Sequence, residues 1–205
     1  MRKFWFCYWL ILIVVFLPAP APGAETIFKD LPATEITGYG EYSLGTPVAQ
    51  LDLKGFEEPV KDTSFAEIPG YNYGKLDIFH GKRSAKVKIV LITIDGRLEA
   101  ITLEFPQLIT EFGDLDKVAS FVRSLRGSIV SKYSPELIDA DFFAYGYESS
   151  DWAWEGALSL IDKSGNELFL VWDGYDLSLH YLSAKFQRLV AAAFARAEQE
   201  DAGKL

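Results

Sequence analysis

The chain has 205 residues, with 20 Lys and Arg against 29 Asp and Glu, one Cys and one Met. A formal net charge of −9 works against nucleic acid or an anionic membrane surface as partner, since both are bound through clustered cations. One cysteine excludes an intrachain disulfide, so stability has to come from core packing, for which this length and 15% aromatic residues are ample.

Residues 1–24 place a basic pair, Arg2 and Lys3, before an apolar run from Phe4 to Leu17 and a Pro/Ala/Gly stretch. This is the layout of a secretory signal peptide. The run is 14 residues long, short of the roughly 20 that span a bilayer. Cleavage is expected near Gly23 or Ala24, leaving an exported domain over residues 25–205, periplasmic or extracellular, with no membrane insertion after cleavage. An uncleaved N-terminal membrane anchor is the alternative. Cys7 lies inside the apolar run, not at its end where a lipid-attachment cysteine belongs. Without the leader, 18 Lys and Arg face 29 Asp and Glu, a net charge of −11, and no thiol remains.

Residues 25–40 have no clean period and read as an extended entry segment. Thr46 and Pro47 suit the start of a short helix carrying Val48, Leu51 and Leu53 on one side and ending by Gly55. Residues 56–70 read as a loop, Leu76 to Phe79 as a short strand, and His80 to Arg83 as an exposed basic turn. The strongest signal is a hairpin from Lys86 to Phe105, turning at Asp95 and Gly96. A two-residue loop would mix Val87, Ile89 and Leu91 with Ala100, Thr102 and Glu104. A three-residue loop with left-handed Gly96 and a bulge instead gathers Val87, Ile89, Leu91, Ile101, Leu103 and Phe105 on one face. The other face is apolar at its turn end and charged at the far end.

Asp114 is placed to cap a helix with Leu115, Val118, Phe121, Val122, Leu125 and Ile129 at helical spacing, ended by Ser134-Pro135. Three strands follow, Trp152 to Ile161, Glu167 to Trp172 and Leu177 to Leu182. Ser183 then caps a C-terminal helix over 184–200 whose stripe of Phe186, Leu189, Val190, Ala193, Phe194 and Ala197 should dock on the sheet. The expected fold is α+β: an antiparallel sheet from two helix-then-three-strand units, residues 40–106 and 114–183, with helices packed on one face and a C-terminal helix. The segments ITIDGRLEAITL and LVWDGYDLSLHYL overlay at their Asp-Gly turns, which makes the two units an expected pseudo-repeat.

Function is sought in the stretch Asp139 to Trp154, where aromatic rings alternate with carboxylates. Tyr145, Tyr147, Asp141, Glu148, Asp151 and Trp154 are the expected binding residues, since rings beside acids suit a cationic side chain, a sugar or a protein hot spot. Asp139-Ala140-Asp141 begins like a calcium loop, but Phe143 stands where a third oxygen ligand belongs. His80 and His180 lack cysteine neighbours and no HExxH is present, so no metal is expected; His180 falls on the face of its strand expected to be less buried. No GxSxG, phosphate-binding glycine loop or GxGxxG occurs, so neither catalytic residues nor a cofactor are assigned.

Ser43-Leu44-Gly45-Thr46-Pro47-Val48 at the head of a helix followed by strands, and then a second such unit, resembles β-lactamase-inhibitor-protein-like domains and the related small outer-membrane assembly lipoproteins of bacteria. The resemblance implies a non-enzymatic envelope domain that works by protein contact. The expectation is therefore an exported bacterial envelope protein, monomeric or weakly associating, that binds or scaffolds an envelope protein partner. The alternative is a carbohydrate-binding or carbohydrate-active protein using the loop 139–154, which a glycan quenching Trp152, Trp154 or Trp172 fluorescence distinguishes.

Overall fold

The computed structural model describes residues 31–62, 76–82, 87–105, 113–134, 156–172 and 177–202. In chain order these form β1 (Leu31–Pro32), β2 (Gly38–Tyr39), β3 (Tyr42–Ser43), a 3-10 turn (Val48–Gln50), β4 (Val60–Asp62), β5 (Leu76–Lys82), β6 (Lys88–Ile94), β7 (Arg97–Phe105), α1 (Leu115–Tyr133), β8 (Gly156–Ile161), β9 (Glu167–Trp172), β10 (Leu177–Leu182) and α2 (Ala184–Ala202). Eight strands make one sheet in the order β1-β8-β9-β10-β7-β6-β5-β4, and β2 and β3 form a separate ribbon. Among the described strands only β1 runs parallel to its neighbour, β8. Two antiparallel meanders, β5-β6-β7 and β8-β9-β10, meet where β7 pairs with β10.

The layering differs from the expected one. In β6 every residue from Ile89 to Ile94 is buried, a continuous run that requires cover on both faces of the sheet. Ile89, Leu91, Ile101 and Leu103 join Val118, Val122, Ile129 and Val130 of α1 in the larger core. Val90, Ile92, Ile94 and Ala100 point the other way and pack with Phe186 and Leu189 of α2. The helices thus lie on opposite faces, not on one. The expected first helix shrinks to the 3-10 turn, with Pro47 preceding it and no side chain capping it, so the helix-then-three-strand units are not formed. The rest of the α1 face is covered by the entry segment, whose Ile36 and Tyr42 are buried. There Gly38, at φ +136°, is held so close to the Tyr42 carbonyl that no Cβ would fit.

The hairpin reaches the expected grouping of Ile89, Leu91, Ile101 and Leu103 by another route. Asp95 and Gly96 are both left-handed, φ 52° and 74°, a two-residue loop closed by Ile94 opposite Arg97. The register then shifts between Ile92 and Thr93, leaving Glu99 as the extra residue of a bulge. That bulge brings the Glu99 carboxylate to the start of α2. Ser183 donates from its backbone N–H to the Glu99 carbonyl at 2.8 Å and from its hydroxyl to the carboxylate at 2.6 Å. The same hydroxyl accepts from Phe186 N–H at 3.0 Å, so Ser183 caps α2 as expected, and a buried acid sits favourably at the helix N-terminus. Asp114 caps α1 likewise, accepting from Asp116 N–H at 2.8 Å.

A second carboxylate ties three segments together. Asp162, just after β8, accepts from Ser164 and Asn166 N–H at one oxygen (2.8 and 2.9 Å). At the other it accepts from Ile36 N–H at 2.9 Å and the Asn166 amide at 3.3 Å. Asn166 also reaches the Ile36 carbonyl (3.2 Å) and accepts from Ala184 N–H (3.3 Å). Asp162→Asn puts an NH2 where N–H groups converge; unfolding in denaturant is expected to show a loss of about 3 kcal/mol.

Candidate functional site

The six residues singled out as binding residues, Tyr145, Tyr147, Asp141, Glu148, Asp151 and Trp154, lie outside the described residues. What is described is the framework around their stretch. It joins the end of α1 to Gly156, which pairs with Trp172, itself opposite Leu177, which in turn faces Phe105. Lys88 opposite Glu104 and Lys82 opposite Lys88 continue that same end of the sheet.

Within the described residues the polar cluster closest to a catalytic arrangement is on the α2 face of the central strands. His180 of β10 directly opposes Thr102 of β7. Its Nδ1 lies 3.0 Å from the Thr102 hydroxyl and its Nε2 2.8 Å from the Ser178 hydroxyl, two residues earlier on its own strand. Phe169 of β9 flanks the ring, centroids 6.1 Å apart and tilted by 32°. His180 is only 4% exposed, correcting the expectation of a less buried face. The cause is that the sheet is covered on both sides, so strand alternation no longer separates core from solvent. His80, expected in an exposed turn, lies within β5 opposite Val90 and is half-buried.

A Ser–His contact of 2.8 Å matches a nucleophile beside its general base. The third member decides otherwise. A base of that kind has a carboxylate at Nδ1 to stabilise the imidazolium; here a neutral Thr102 hydroxyl occupies the position. Burial pushes the His180 pKa down from 6.5 to about 4, and a ring that resists a proton is a poor base at neutral pH. The group fills the polar needs of a buried position.

Two further clusters are likewise spent on structure. Lys185 of α2 lies 3.6 Å from both Asp95 and Glu99, clasping the β6–β7 turn. On the α1 face, the Tyr181 phenol is pushed upward by burial and then by the adjacent Tyr133 phenol, to which it hydrogen-bonds, with Tyr39 adding to the effect. Lys132 donates to the Tyr133 hydroxyl at 2.9 Å. Among the described residues no group of three or more His, Cys, Asp or Glu is placed to hold a metal ion, and no helix is long and apolar enough to cross a membrane.

Comparison with protein-family models, with curated proteins and with solved structures finds no match.

Ser178 is expected to behave as an ordinary half-buried hydroxyl. An organophosphate serine reagent should leave the protein's intact mass unchanged, whereas a single stoichiometric adduct at Ser178 would restore the catalytic reading. Thr102→Val, which keeps the shape and removes the Nδ1 partner, should cost about 1–2 kcal/mol in denaturant unfolding.

Proposed function

We propose that this chain is an exported bacterial envelope protein of non-enzymatic type that binds or scaffolds a protein partner through the stretch 139–154. The observation that carries the reading is the composition of that stretch: Phe142, Phe143, Tyr145, Tyr147, Trp152 and Trp154 interleaved with Asp139, Asp141, Glu148 and Asp151. Large rings that lose few rotamers, set among carboxylates, suit a partner surface with Arg or Lys at its centre. The described polar clusters support it by their own employment. The Ser178 and Thr102 hydroxyls serve a buried ring, Asp162 and Glu99 serve backbone and cap, and Lys185 serves a turn. The leader-like residues 1–24 support export.

Affinity capture from envelope extract, with wild type beside the Tyr145→Ala/Tyr147→Ala double variant and mass-spectrometric readout, tests the reading. A protein enriched by wild type alone, with unchanged circular dichroism of the variant, is the expected result. Equal enrichment by both, enrichment by neither, or unfolding of the variant counts against it, the last by making these rings core. The N-terminal residue of the protein recovered from the host should be Ala24 or Glu25; an intact Met1 would make the leader an anchor instead.

A further inference from the structure

Whichever tautomer His180 adopts, its neutral ring donates through one nitrogen and accepts at the other. Of the Thr102 and Ser178 hydroxyls, one therefore accepts and the other donates. Proton uptake makes both nitrogens donors. The hydroxyl that had donated must then turn its proton away from the ring, and the new charge sits at a position 4% exposed with only neutral hydroxyls beside it, where water is not at hand to solvate it, a loss of stability for the folded state. The site of that loss is the ladder that joins the two meanders, with Thr102 and His180 facing one another across it.

We propose that the β7·β10 ladder is an acid-sensitive latch, closed while the His180 ring is neutral and weakened when the ring takes a proton. The charged groups around the ring do not reverse this. On β7, Glu104 shares the ring's face and opposes Ser178, but Lys88 of β6 stands directly opposite it. On β9, Phe169 faces the ring, and Glu167 accepts from the Ser159 hydroxyl of β8 at 2.8 Å. On α2, Lys185 is engaged by Asp95 and Glu99 and Arg188 is exposed; the side chains of Arg196, Glu198, Glu200 and Asp201 lie outside those described. The ring's two hydrogen-bond partners are thus neutral hydroxyls.

The sign follows from which state holds the proton more tightly. The unfolded chain protonates this residue near its ordinary value, the folded chain only at a lower pH, so stability is whole above that ordinary value and falls as pH drops below it. Urea unfolding of the purified protein, wild type beside His180→Gln, reads the effect directly. Between about pH 7.5 and about pH 4 the unfolding constant of wild type should rise roughly 100-fold more than that of the variant. An equal rise in both overturns the latch. Should the variant fail to fold, the imidazole carbon resonance of wild type decides. A ring still neutral at about pH 5.5 in folded protein supports the proposal, and one half-protonated near its ordinary value with the fold intact overturns it.

Discussion

Among the described residues, six pairs, from Leu177 opposite Phe105 to Leu182 opposite Ala100, form the join between the two halves of the eight-stranded sheet. Everything on the β6-β5-β4 side and everything on the β9-β8-β1 side depends on that ladder holding its register. One face of it is apolar, with Ile101, Leu103, Leu179 and Tyr181 in the larger core. The other face carries Thr102 and His180 at its centre. The polar pair contributes specificity as much as energy: a slip of β10 by one residue against β7 would drive His180 into the apolar core and turn Leu179 to the opposite face. The two residues also occupy matching places, each six residues beyond the glycine of its Asp-Gly turn. The ladder therefore sets equivalent positions of the two meanders against each other.

The layers are fastened at one end of the sheet by carboxylates. Asp162 gathers the entry segment, the β8–β9 turn and, through Asn166, the first residue of α2. Glu99 holds the cap of the same helix, and Gln187 donates to the Gly165 carbonyl at 2.8 Å. Acids do this work because an ionised carboxylate accepts several N–H bonds at once, each stronger than its neutral counterpart. The opposite end of the sheet, where β8 begins at Gly156, is the end away from these ties.

Much of this was legible in the sequence. The β-branched runs mark β6 and β7, the helical spacing of Val118, Val122 and Ile129 marks α1, and Asp114 and Ser183 stand where the caps form. The layer assignment was not legible, because Val90, Ile92 and Ile94 are as apolar as Ile89 and Leu91, and parity alone cannot say which helix covers which set. A clue lay in Glu99, a charged residue between Leu98 and Ala100 in the buried part of β7. Its acid marks the bulge that lets a two-residue turn coexist with a shifted face. His180 misled for a related reason, since a histidine between Leu179 and Tyr181 looks like the outward member of an alternating strand until both faces are known to be covered. The paired Thr102 could be found only once the register was in hand. Of the binding residues, the described structure gives the flanks and not the side chains.

The rims of the sheet are two very short strands. β1 is a two-residue strand ending in Pro32, and β4 a three-residue strand, Val60-Lys61-Asp62, following Pro59. Each rim strand has little backbone of its own to offer another chain, while the long, β-branched β6 and β7 are paired on both sides in the interior of the sheet. The segments of highest β-propensity are in this way kept from pairing with another chain while the sheet is intact. That protection lasts only as long as the inner strands stay enclosed, which makes any opening of the sheet a step towards fibril-like assembly as well as towards unfolding.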